Sequence, residues 1–150
     1  MAADFWSFAA VEERLVEAMH HWRRSPDRDA RFGLGGRISS IWRQALDEPL
    51  ALIEQHRMAK PEPRRLPLSR RDMARMAEAS EWLLLVAERA RPLVVEAVRC
   101  LAKGDSQVPW NALWNRLGRG PPGPDGLRKR YTRALTTICE ALNKRANPPG

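Results

Sequence analysis

Apolar residues recur three and four positions apart along nearly the whole chain, and no convincing run alternates β-branched with polar residues. That pattern predicts an all-α fold class, a helical bundle whose elements are separated by proline and glycine. Ser7 can cap a first helix from Ala9 to Arg24, with Val11, Leu15, Ala18, Met19 and Trp22 along one face. Ser25-Pro26 ends it, and a polar, glycine-containing loop is expected from Asp27 to Gly36. A second helical pattern through Ile38, Ile41, Trp42, Ala45 and Leu46 meets Pro49, which removes a backbone donor. A kink or two short helices ending near Gln55 is the expectation there.

Residues 57–68 hold Pro61, Pro63 and Pro67 among basic side chains and read as an extended linker. The expected organisation is an N-terminal helical region at 1–56, for oligomerisation or a partner, the linker at 57–68, and a helical domain at 69–147. In the last of these, Ser69-Arg70-Arg71-Asp72 looks like a helix cap. The helix it opens carries Met73, Met76, Ala77, Ser80, Leu83, Leu84 and Ala87 up to Arg91-Pro92. Pro92 suits the first turn of the next helix, which runs through Leu93, Val94, Ala97, Val98 and Leu101 until Gly104. Pro109 opens a short helix, Trp110 to Leu117, closed by Gly118. A turn rich in glycine and proline leads to Pro124 and a longer helix ending near Lys144, with Leu127, Tyr131, Ala134 or Leu135, Ile138 and Leu142 on its apolar stripe.

Charge separates the two ends of the chain. The 150 residues carry a net +8, but residues 1–108 are nearly balanced at +2 and residues 109–150 hold +6. In the final helix Arg128, Lys129, Arg130, Thr132 and Arg133 mostly face away from the apolar stripe, so its N-terminal half presents a basic surface. A short helix, a glycine-centred turn and a helix with a basic start are the parts of a helix-turn-helix, here at about 109–144, whose second helix enters the major groove of DNA.

Other chemistry is excluded or bland. Residues 81–101 are interrupted by Glu88, Arg89, Arg91, Pro92, Glu96 and Arg99, too many polar groups for a membrane span. The N-terminus has neither a basic segment nor a long apolar run, and the two cysteines, Cys100 and Cys139, fit a reduced compartment as small buried hydrophobes. The expected location is cytoplasmic, with no membrane partner. Gly33-Leu34-Gly35-Gly36 follows no strand and lacks the P-loop lysine, so it reads as a flexible loop. His20, His21 and His56 have no zinc-ligand spacing, and no catalytic triad, HExxH or paired-carboxylate motif stands out, so neither an enzyme nor a metal or other cofactor is expected. The six tryptophans are read as core and helix-crossing residues, with Trp6, Phe5 and Phe8 as an alternative exposed anchor for a partner.

The segments VVEAVRCLAKGDSQVPWNALWNRLG and GLRKRYTRALTTICEALN resemble the fourth-region helix-turn-helix of bacterial sigma factors, with Val108-Pro109-Trp110, Leu113, Leu117-Gly118 and Arg133-Ala134-Leu135 falling in order. Val11-Glu12-Glu13-Arg14-Leu15 and the segment from Arg75 to Leu83 are similar to a family of small bacterial and prophage-associated proteins. The sigma resemblance implies that Trp110 to Leu117 positions the unit and Leu127 to Arg133 faces DNA. Arg128, Lys129 and Thr132 would touch bases or phosphates, with Arg130 and Arg133 beside them and Arg116 and Arg119 nearby. Leu113, Leu127, Tyr131 and Leu135 would pack. Trp114 stands where such motifs hold a small residue, and the turn is longer than usual, so a bulky Trp114 is expected to part the helices and the longer turn to bridge them.

The function these features imply is a DNA-binding transcription regulator with double-stranded DNA as partner, acting with RNA polymerase or another regulator as activator or antitermination factor. Two alternatives stay open: a small-terminase-like subunit of phage-type packaging built as a homo-oligomer, and a pure polymerase-binding module.

Overall fold

The periodicity is realised as six α-helices in a computed structural model that describes residues 5–24, 34–45, 68–121 and 123–146. They are α1 (Phe8–Arg24), α2 (Leu34–Ala45), α3 (Arg70–Trp82), α4 (Arg91–Ala102), α5 (Trp110–Arg116) and α6 (Pro124–Ala146). No strand occurs among the described residues, and none of their helices is long and apolar enough to cross a membrane.

Helix boundaries follow local chemistry. The Ser7 hydroxyl accepts from the Ala10 amide at 3.1 Å, and Ser69 accepts from the Asp72 amide at 3.0 Å, each satisfying a first-turn donor that has no intrahelical partner. Pro92 sits in the first turn of α4, where its missing amide hydrogen costs nothing. Gly118 closes α5 at φ +100°, a left-handed conformation that a side chain would strain.

Two stretches differ from expectation. Helix α2 starts at Leu34, so Gly35 and Gly36 belong to its first turn rather than to a loop. Helix α3 stops at Trp82 instead of continuing towards Ala87. Leu83–Leu85 tighten into a 3-10 turn, Val86 is extended at φ −96° and ψ 143°, and a second 3-10 turn follows at Glu88–Ala90. Arg91 explains the break, because its Nε donates to the carbonyls of Leu83 at 3.0 Å and Val86 at 3.1 Å and so holds the open turn together. Leu83 and Val86 thereby reach the core, whereas Leu84 and Ala87, expected on the apolar stripe, are exposed. The expected kink at Pro49, the resumption to Gln55 and the linker up to Pro67 lie outside the described residues.

The core is organised around α4, in which every residue from Leu93 to Cys100 is buried. Helices α1, α2 and α6 pack on it, and α1 also lies along α3. Removing Val94, Val95 and Val98 from water contributes about 1.5–3 kcal/mol per side chain. One hydrophobic cluster runs from Val11 on α1 to Leu142 on α6, so the described residues up to Ala45 and those from Met76 onward share a single core.

Aromatic rings fix the crossings. Trp22 and Trp42 stack at 5.8 Å, and the Trp42 indole donates to the buried Ser80 hydroxyl at 2.9 Å, which in turn donates to the Met76 carbonyl. Trp6 meets Trp82 edge-on at 4.9 Å. The Trp6 amide donates to Asn143 Oδ1 at 2.7 Å while Asn143 Nδ2 donates back to the Trp6 carbonyl at 3.0 Å, pinning the start of the described chain to the end of α6. Of the expected N-terminal anchor, Trp6 and Phe8 pack on the core and Phe5 alone is exposed.

Candidate nucleic-acid interface

Helix α6 is anchored by a stripe and exposed on the rest of its circumference. Leu127, Tyr131, Ala134, Leu135 and Ile138 are buried, and Leu113 of α5 is buried with them. Arg128, Lys129, Arg130, Thr132 and Arg133 are all exposed. At about 100° per residue the exposed set divides into two flanks. Arg128 and Thr132 lie on one, Arg130, Arg133 and Thr137 on the other, and Lys129 on the crest between them.

Leu127, included by sequence in the DNA-facing segment, is only 8% exposed and serves as packing. Its place on the stripe, one turn before Tyr131, turns it towards the bundle.

The first flank is electrostatically restrained. Asp125, in the first turn of α6, accepts from Arg128 Nε at 3.2 Å and Nη2 at 2.8 Å through Oδ1, and its Oδ2 lies 3.3 Å from Lys129 Nζ. These hydrogen bonds, from Arg128 first and then Lys129, hold the Asp125 carboxyl below its usual range. The spacing of three and four residues that makes both pairs possible is visible in the sequence.

Arg116 and Arg119 stand elsewhere. Arg116 Nη1 donates to Glu96 Oε2 at 3.2 Å, and the same oxygen accepts from Arg99 Nη2 at 3.0 Å. Glu96 is 1% and Arg99 3% exposed, so a buried ion pair on α4 reaches out through Arg116 and braces α5. Arg119 occupies the turn at φ +56°, and its Nε donates to Asn115 Oδ1 at 2.7 Å.

Trp114 and the long turn are joined directly. The indole Nε1 donates to the Gly120 carbonyl at 2.9 Å, so the bulky side chain that breaks the small-residue pattern also orders the turn. Behind α6, the Tyr131 ring packs against Trp110 at 5.3 Å and Phe8 at 6.0 Å. Its hydroxyl donates to Glu12 Oε2 at 2.6 Å. Burial, then that hydrogen bond, pushes the phenol's ionisation well above its ordinary range.

Among the described residues one group of potential metal ligands converges, Glu17, His21 and Asp72, with ligand atoms within 4.8 Å of one another. Arg75 already donates to both Glu17 oxygens at 2.9 Å, through Nε and Nη2. The cluster is therefore an ion-pair network between α1 and α3. Both cysteine thiols are pushed up by burial, away from reactive thiolate character.

No family model, no curated protein and no solved structure matches the chain.

Proposed function

We propose that the chain is a DNA-binding transcription regulator, with α5, the turn and α6 acting as a helix-turn-helix and α6 as its recognition helix. One observation carries this reading. Helix α6 commits Leu127, Tyr131 and Leu135 to the core while Arg128, Lys129 and Thr132 stand exposed outside it. The +6 charge of residues 109–150 supplies the attraction, since each neutralised phosphate releases counterions. Thr132 has the hydroxyl to reach a base edge, and the forked Arg128 guanidinium and Lys129 suit phosphates. Arg116 and Arg119, each held by a neighbour, extend the basic surface onto the positioning helix and the turn. The sigma-like order of residues adds RNA polymerase as a neighbour, with the protein working as an activator or antitermination factor.

The test is a salt titration of binding to fragmented genomic duplex, followed by anisotropy. Replacing Arg128 and Lys129 together with alanine is expected to weaken binding and to reduce the slope of log K against log salt by about 2, one unit per lost phosphate contact. An unchanged affinity and slope would remove the assignment.

A further inference from the structure

Arg130 and Arg133, which stand beside the residues proposed to touch DNA, line a groove on the second flank of α6. It has a volume of about 570 Å³ and lies between the two 3-10 turns on one side and α5, the following turn and α6 on the other. Val86, Leu93, Trp114, Leu117 and Pro121 give it apolar walls. Arg89 of the second 3-10 turn also lines it, together with Arg130 and Arg133 of α6, which are one turn apart.

The chemistry of this groove is unusual for a solvated face. Arg128 and Lys129 share Asp125, and Arg116 holds Glu96, but Arg89, Arg130 and Arg133 take part in no ion pair among the described residues. Three arginines without an ion pair therefore line a groove whose other lining residues include no carboxylate. Leu117, 41% exposed, adds apolar surface left in water. A ligand that covers such walls removes apolar area from water, and one negative charge at its end completes forked hydrogen bonds with arginine. The volume falls within the usual range for small-molecule sites, about 300–1,000 Å³.

We infer that this groove, lined by Arg89, Arg130, Arg133, Trp114 and Leu117, is a binding site for a small amphipathic anion, a compact aromatic or aliphatic body ending in a carboxylate. The inference does not rest on DNA binding by the neighbouring flank of α6. A neutral apolar molecule leaves the arginines without a partner, and a bare anion leaves the walls wet. Both halves of the ligand are needed for full affinity.

Isothermal titration of the full chain without DNA tests this, using 2-naphthoate as the probe, with 2-naphthalenemethanol and inorganic phosphate as its neutral and charge-only counterparts. Naphthoate is expected to bind at least about tenfold more tightly than either. Arg89→Ala, a change at an exposed position outside α5 and α6, is expected to weaken naphthoate at least about fivefold with the helical circular dichroism intact. The inference is overturned if the alcohol matches naphthoate, if phosphate alone matches it, or if Arg89→Ala binds as the parent does. Two further outcomes also overturn it by assigning the groove another occupant. These are an acidic, leucine-containing peptide binding where naphthoate does not, or self-association in sedimentation that Arg89→Ala abolishes.

Discussion

The Tyr131 hydroxyl on α6 donates a 2.6 Å hydrogen bond to the Glu12 carboxylate on α1, joining residues 119 positions apart. The N-terminal helix is thereby part of the scaffold that holds α6, and the exposed basic flanks of α6 inherit their orientation from it. Asn143 repeats the arrangement at the other end of α6 by clasping the Trp6 backbone.

Tyr131→Phe keeps the ring contacts with Phe8 and Trp110 and removes only the hydroxyl. Glu12 is partly exposed and regains water, so the expected loss in urea unfolding is about 1.5 kcal/mol, the low end for one hydrogen bond to a charged acceptor. A midpoint unchanged from the parent would mean that the α1–α6 link contributes nothing.

The same tyrosine makes an alkaline test direct, because it is the single tyrosine of the chain. Its ionisation is raised above the ordinary 10.0, so the folded protein keeps the proton where the unfolded chain releases it. The contribution to stability is full below that value and declines as pH rises past it. Tyrosinate absorbance is expected to appear together with the loss of helical dichroism. A phenol titrating at its ordinary midpoint in a still-helical protein would contradict the buried bond.

Glu17 gives the acid counterpart. Hydrogen bonds from Arg75, reinforced by its charge and by His21 and opposed by partial burial, lower the carboxyl from 4.5 to about 2. A depressed acid stabilises the fold above its unfolded value, and the contribution is lost as pH falls from 4.5 through about 2. Thermal melts of Glu17→Gln should therefore depend less on pH across that window than those of the parent. Parallel curves would show that the α1–α3 network is not coupled to acid stability.

Glu96 and Arg116 share a contact but not a cost. Glu96→Ala takes away the carboxylate that the buried Arg99 donates to, and a loss of about 3 kcal/mol is expected. Arg116 is 40% exposed, so Arg116→Ala should change stability by about 0.5 kcal/mol or less. Denaturant titration of both variants checks the contrast, and equal losses would place the main strength of the cluster at its solvent end.

What was legible in the sequence was mostly periodicity and punctuation. Ser7, Ser69, Pro92 and Gly118 mark helix ends because each acts within one turn of its own position, and the all-helical class follows from spacing alone. The end of α3 at Trp82 was not legible, since it depends on Arg91 reaching back eight residues to a carbonyl. The α1–α6 link was hidden for a similar reason, as Glu12 and Tyr131 are ordinary helix residues until the fold brings them together. The basic flank of α6 could be read from its stripe. Its division into a flank restrained by Asp125 and a flank facing a groove needed Arg89, which lies outside the segment that drew attention to charge.

Asp125 is the residue on which the restraint of the first flank turns. Its carboxylate occupies Arg128 and Lys129 at 2.8 Å and 3.3 Å, and any phosphate arriving there must displace it against like-charge repulsion. Asn at this position still accepts hydrogen bonds and still suits the start of a helix, so the fold should persist. If the proposed interface is correct, Asp125→Asn raises duplex affinity by about threefold, the modest scale of exposed ion pairs. Arg128→Ala, by contrast, lowers it and reduces the salt slope by about 1. In the Asp125→Asn background, Arg128→Ala should cost more affinity than in the parent, because only there is the guanidinium wholly available. Anisotropy titrations of the four proteins at two salt concentrations measure that difference. Equal costs in both backgrounds would show that Asp125 does not compete with DNA for Arg128.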